Sequence, residues 1–289
     1  MQARTDLAAE QTEKFVGRLP RGIREEEQQI NGVTVHRVVV ESQNAASLLG
    51  KPCGNYYTIE SPVFAHTSQN LGKQAEAAAR VLGRLLPPGA AVLVVGLGNR
   101  SVTPDSLGPL VADRVIATRH INGKTCGLEG LRPTAVMSPG VLPQTGLEVA
   151  EQTAWAVEKL KPGAVVVVDA LAAAQAERLG RTIQISDVGI VPGSGVMGRH
   201  LPLSRETLGV PVVAVGVPMV IDADTFVDEY LRRVGVEERV VENRRRTSFM
   251  VAAHDVDVAV LRSARCLSMA INRALQPQLS RKEIALLSE

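Results

Sequence analysis

Residues 91–109, AVLVVGLGNRSVTPDSLGP, constrain this chain more than any other stretch. The segment opens on an aliphatic run, the composition of a strand buried on both faces of a parallel sheet. Gly96-Leu97-Gly98-Asn99 then lets the backbone turn sharply at the strand's carboxyl end. A polar loop follows and delivers Asp105 just ahead of a helix-like segment. Open α/β sheets bind ligands in the crevice beyond the carboxyl ends of their strands, which makes Asp105 the first candidate functional residue. A second valine-rich run, residues 164–168, is followed at once by Asp169, an acid in the same kind of position. Neighbouring strands, about 4.8 Å apart, would let the two carboxylates converge. Like charges that close share one proton, so one acid can serve as base toward a water and the other as acid toward a carbonyl oxygen or leaving amine. Each aspartate also fits a bland role as a cap or loop tether.

Taken in order, residues 1–30 are polar and charge-rich and read as a mobile or weakly helical extension. Residues 31–289 read as one α/β domain. Strands are expected at 32–42 and 56–60, forming a small amino-terminal β annex, and a helix at 70–86 closed by Pro87-Pro88-Gly89. After the key strand come a helix at 106–119, a strand at 133–137 and a helix running to Lys161, with Thr145 and Glu148 as a capping box. Residues 181–186 read as an edge strand, 187–199 as a glycine-rich loop, and 210–217 as the last core strand. Helices at 223–234 and 256–275 flank a charged connector. This alternation predicts a three-layer α/β/α fold around a mostly parallel central sheet.

Composition narrows the function. Aromatic residues make up 3% of the chain and the net charge is +2, which argues against a base-stacking or strongly basic nucleic-acid surface. Cys53, Cys126 and Cys266 have no metal-site spacing and suit a reducing cytoplasm. No apolar run suggests a membrane span and the first residues lack a secretory h-region. The glycine turn lacks the third glycine of a dinucleotide fingerprint and is not a P-loop. Ser194 lacks a nucleophile-elbow context. His200 is the one histidine near the glycine loop, and His36 reads as a strand packing residue.

The segments GLGNRSVTPDSLGP, VVDALAA, TIQISDVGIVPGSGV and LGVPVVAVGVPMVIDA, in that order, resemble the germination protease family over about residues 91–224, with an echo in RTDLAAE near the start. That family is a distant fold relative of the hydrogenase maturation proteases, which hold nickel with acids at the same two strand ends. The resemblance implies an endopeptidase that degrades small acid-soluble spore proteins in the spore core, assembles as a tetramer, and matures from a zymogen by losing a short amino-terminal piece. It matches the family's two essential acids to Asp105 and Asp169. Family substrates are cut between an acid and a large apolar residue. Thr5-Asp6-Leu7-Ala8-Ala9-Glu10 fits that pattern, with Asp6–Leu7 as the processing bond and residues 1–6 as the pro-segment.

Further substrate-binding candidates are the backbone of Gly98, Asn99, Gly193, Ser194 and Gly195, as oxyanion donors, and Arg199. Arg100, Arg119 and Arg199 are candidates for a cationic pocket. Thr5 is also a candidate helix N-cap. No cofactor, metal, nucleic acid or membrane partner is expected. Two other readings stay open: a metal-dependent maturation-type peptidase, and a peptide-binding relative without catalysis.

Overall fold

The structure, a computed structural model, describes residues 5–15, 17–66, 71–121, 130–193, 201–235 and 249–288. In chain order its elements are α1 (Ala8–Thr12), β1 (Ile23–Ile30), β2 (Val33–Val40), α2 (Gln43–Leu49), β3 (Gly54–Glu60), α3 (Gly72–Leu85), β4 (Val92–Gly96), α4 (Leu107–Ala112), β5 (Thr134–Met137), α5 (Leu142–Thr145), α6 (Val149–Leu160), β6 (Ala164–Ala173), β7 (Thr182–Ser186), α7 (Arg205–Leu208), β8 (Val212–Asp222), α8 (Ala223–Arg233), β9 (Met250–Ala252), α9 (Val256–Leu275) and α10 (Arg281–Leu287). The strands form one mixed sheet in the order β1-β2-β3-β7-β8-β6-β4-β5, with β9 on β8. Its parallel part is β5-β4-β6-β8, the four strands around the two aspartates. Among the described residues no helix is long and apolar enough to cross a membrane.

The aliphatic runs are buried on both faces, as their lack of alternation requires. Val92, Val94, Val166 and Val168 join the core beneath α3, α4 and α9. Their neighbours Leu93, Val95, Val165 and Val167 face the opposite side, toward α6 and α7. A third cluster packs α1 and α2 on β1–β3 through Ala8, Val38, Val40, Leu49 and Tyr56. The layers are therefore helix, sheet, helix.

Several elements differ from the sequence reading. The amino-terminal strands are continuous with the main sheet, because β3 pairs with β7 along Tyr56–Glu60. Residues 23–30, read as extension, are β1, and Asn31-Gly32, both at positive φ, make the two-residue hairpin turn into β2. Charge hid this strand: Arg24 through Glu27 are exposed on a sheet edge, where charged side chains discourage further pairing. β7 is no edge, since it lies between β3 and β8 with every residue buried. α4 stops at Ala112 rather than near Arg119. There the Asn272 side chain of α9 accepts from the Ile116 N–H at 2.9 Å and donates to the Arg114 carbonyl at 2.8 Å, groups a continuing helix would pair internally. α6 starts at Val149 with no side-chain cap, and Thr145 instead accepts from the Leu147 N–H. Residues 122–129 and the connector 236–248 lie outside the described residues.

Packing is tight at Gly108 in α4, where a Cβ would sit 2.2 Å from the Leu97 carbonyl oxygen and 2.6 Å from that of Val168. Gly108→Ala must push α4 off the sheet and should destabilise the protein by about 3 kcal/mol. Gly83, in α3, has no neighbour within 4 Å of its missing Cβ. Gly83→Ala should stabilise by up to about 1 kcal/mol. Urea unfolding of both variants checks the pair, and equal midpoints would refute the packing account.

Candidate functional site

Strand pairing decides which residues meet. β4 and β6 are parallel neighbours in register from Val92–Ala164 to Gly96–Val168, and the Leu97 N–H adds one more bond to the Val168 carbonyl at 2.8 Å. β4 then leaves the sheet while β6 continues beside β8 to Ala173, with a register shift between Leu171 and Ala172. Asp169 is thus the first β6 residue beyond its pairing with β4. It lies within its strand rather than at the end of it, which the sequence reading did not anticipate.

From Gly96 the chain turns through Gly98, at φ +113, into the short turn Thr103–Asp105. A Cβ on Gly98 would lie 2.0 Å from the Asp105 carbonyl oxygen. Only glycine tolerates both that dihedral and that approach. The turn folds Asp105 back so that its Oδ2 accepts the Asn99 N–H at 2.6 Å. Asn99 in turn accepts the Ser101 N–H and the Gln144 amide on its own side-chain oxygen, which ties the loop to α5.

The two acids stand in different surroundings. Asp169 is 7% exposed, and burial drives its proton affinity well above the usual carboxylate range. The nearby charges of Asp105 and then Asp6 push the same way, opposed only by the Ala170 N–H at 2.8 Å. Asp105 is half-buried and is raised more mildly by desolvation, with the Asn99 N–H favouring its ionised form. One acid that holds its proton more tightly, near another that ionises more readily, is the arrangement general acid–base chemistry needs.

Residues 5–12, expected to be mobile or weakly helical, are docked on the fold: Thr5 and residues 7–12 are buried and Asp6 is half-buried. Asp6 pairs with Ala172 of β6: its N–H donates to the Ala172 carbonyl at 2.9 Å, and its Oδ2 accepts the Ala172 N–H at 2.8 Å. Leu7 is fully buried and is the residue from which α1 starts. Thr5 is therefore not the N-cap; its hydroxyl oxygen accepts the Leu7 N–H at 3.0 Å. Glu10 takes the N–H groups of Ala174 and Gln175 at 2.8 and 3.0 Å, and Arg178 stands 3.7 Å away. Lys51, just beyond α2, donates to the Thr5 carbonyl at 3.1 Å.

The remaining candidates fare unevenly. The Leu97 and Asn99 N–H groups are already paired within the fold, so those two amides of the 96–99 loop are not oxyanion donors. Gly193, at φ +62, is exposed at the end of a described stretch, and Ser194, Gly195, Arg199 and His200 lie outside the described residues. Arg100 forms a bidentate pair with Asp113. Arg119 lies at the opposite end of the sheet, its N–H on Thr134 at the start of β5. The cations beside the amino-terminal segment are instead Lys51 and Arg178, which no motif singles out. Among the described residues no group of three or more His, Cys, Asp or Glu is gathered around a possible metal.

Comparison with known proteins agrees with the resemblance read from the sequence. The germination protease family model matches residues 2–235. The germination protease of Caldanaerobacter subterraneus subsp. tengcongensis is 38% identical, with 97% of this chain and 96% of that protein covered. That of Clostridium tetani is 35% identical over 98% of each chain, and that of a Geobacillus species 39% identical over 86% of this chain and 72% of its own. Among solved structures, the NiFe hydrogenase maturation protease HycI of Thermococcus kodakarensis aligns at a TM-score of 0.37 and 20% identity, covering 66% of this chain and 98% of that one; a likeness so loose carries no argument. The chain belongs to the germination protease family, and with it to the proteases that act in spore germination.

Proposed function

We propose that this protease is an endopeptidase of small acid-soluble spore proteins, made as a zymogen that cuts its own Asp6–Leu7 bond and working through Asp105, Asp169 and a water. It acts in the spore core and assembles as a homo-oligomer, a tetramer by family resemblance. One observation carries the reading: the segment that fits the family's cleavage pattern is anchored on β6 three residues beyond Asp169, with Asp6 close enough for its charge to raise that acid's proton affinity.

The chemistry follows from the unequal acids. Ionised Asp105 takes a proton from the attacking water, whose oxygen bonds to the scissile carbonyl carbon. Protonated Asp169 hydrogen-bonds the carbonyl oxygen and gives it the proton as negative charge develops there. On collapse the carbonyl re-forms and its proton returns to Asp169. The C–N bond breaks, and Asp105 passes the water's proton to the leaving amine. Both acids end as they began. No step calls on a metal, so the rate should persist under exhaustive chelation. Loss on chelation with recovery on added zinc or nickel would favour the metal-dependent reading.

Asp105→Asn and Asp169→Asn should each lower turnover at least about 10³-fold while leaving the far-ultraviolet circular dichroism unchanged. Near-normal turnover by either folded variant overturns the mechanism. Asp169 also carries a stability signature. Its proton affinity is higher folded than unfolded, so the folded chain holds more protons and wild-type stability falls as pH rises from the ordinary carboxylate range through the raised value. Asp169→Asn has no proton to lose. Its melting temperature should match or exceed wild type at neutral pH, with the gap closing toward acid pH. A gap that widens on acidification would contradict the burial account.

Amino-terminal sequencing of aged or acid-treated protein tests processing. A chain beginning at Leu7 is expected, and Leu7→Ser should block its appearance. Protein that cuts spore-protein peptides yet always begins at Met1 would refute self-cleavage at this bond.

A further inference from the structure

Lys51 is a charged group beside the amino-terminal segment that takes no part in the proposed chemistry. It follows the left-handed Gly50 that ends α2, so the chain turns back and its side chain runs toward the amino-terminal segment. Its ammonium donates to the carbonyl of Thr5, the residue immediately before Asp6. Asp6 itself is fastened to Ala172 through both its backbone N–H and its carboxylate. Main-chain pairing of this sort holds any residue of an extended segment, whatever its side chain. What distinguishes an aspartate or glutamate at this position is the second half of the seat, the Ala172 N–H on its carboxylate and the positive charge of Lys51 held next door on the Thr5 carbonyl.

We infer that Lys51 is the specificity-determining residue of this protease, its ammonium reading the acidic side chain before the cut bond both in the chain's own terminus and in protein substrates. The inference rests on the functional reading above, in which Asp6–Leu7 is a substrate bond. Electrostatics supports it. Lys51 is desolvated, which lowers its proton affinity, and the opposing charges are Asp6 first and Glu10 second. Lys14 adds a small repulsion. Glu10 has its own seat, made by the Ala174 and Gln175 N–H groups with Arg178 beside it, and it belongs to α1. Asp6 is thus the acid that gives the buried ammonium its main counter-charge. A carboxamide in its place would leave the desolvated Lys51 with only the weaker attraction of Glu10, a cost that recurs with every neutral substrate and so produces selection rather than mere affinity. Arg178 differs in that it also binds Glu13, so it anchors the helix instead of the bond.

The test uses two peptides of pattern Thr-X-Leu-Ala-Ala-Glu, with X either glutamate or glutamine, cut by the full-length protein. The ratio of kcat/KM between them is insensitive to how much of the protein has its own terminus docked, because both peptides compete with it equally. Wild type should prefer glutamate at least about 30-fold. Lys51→Met and Lys51→Gln, two neutral variants of similar length, should bring the ratio near unity by raising KM for the glutamate peptide. Lys51→Arg should keep most of the preference. A Lys51→Met or Lys51→Gln protein that melts like wild type and keeps the wild-type ratio overturns the inference while leaving the proteolytic reading intact. A wild-type protein that cuts neither peptide overturns that reading, and the inference with it.

Discussion

Everything at the crevice depends on how closely the chain passes itself between β4 and α4. The Asp105 carbonyl presses on Gly98, and Gly108 presses on the backbones of Leu97 and Val168. These contacts leave no room for a Cβ, so the strand-to-helix passage has essentially one path. That path delivers the Asp105 carboxylate to the Asn99 N–H and toward β6. Backbone geometry sets the position of the side chain here, and the Asn99 N–H, in a loop tied to Ser101 and Gln144, holds it.

The second constraint is desolvation. Asp169 follows four valines into a strand packed on both sides, and the sheet offers its carboxylate a single N–H. Among the described residues no cation offsets this burial, which favours the proton. Asp105, closer to solvent, ionises more readily. Two identical side chains, one on β6 and one in the turn after β4, thereby acquire different proton affinities from their environments, as acid–base pairs elsewhere do. The docked amino terminus adds a third carboxylate, and Asp6 raises the proton affinity of Asp169 further. Occupancy of the crevice and the charge state of its acids are therefore coupled by linkage: a carboxylate arriving beside Asp169 strengthens that acid's hold on its proton.

Lys51 compensates for that crowding from the other side. Its desolvated ammonium, held on the Thr5 carbonyl and attracted by Asp6 and Glu10, offsets charge that β6 alone, with backbone N–H groups, would have to carry. Removing either partner of such an arrangement leaves the other uncompensated, which is why a seat of this kind discriminates strongly between charged and neutral occupants.

Much of this was legible in the sequence. Aliphatic runs without alternation identify the buried parallel strands, and the acid that follows each is visible by inspection. Asn31-Gly32 announces a hairpin that the charges of β1 obscured, because local composition reports solvent exposure and an edge strand is exposed. Beyond that, local pattern loses its grip. The length of β6 past Asp169 is set by β8, a partner from elsewhere in the chain. The early end of α4 is set by Asn272, some 160 residues away in sequence terms: the two side-chain bonds span 156 and 158 positions. Arg100 looked available until Asp113 was found beside it, and Lys51 and Arg178 sit in no motif. Chain sequence determined which residues form buried strands and which acids follow them, since hydrophobic pattern and turn chemistry are local. Tertiary structure alone decided which cations face which carboxylates and which acid keeps its proton, since burial and charge proximity are properties of the folded chain as a whole.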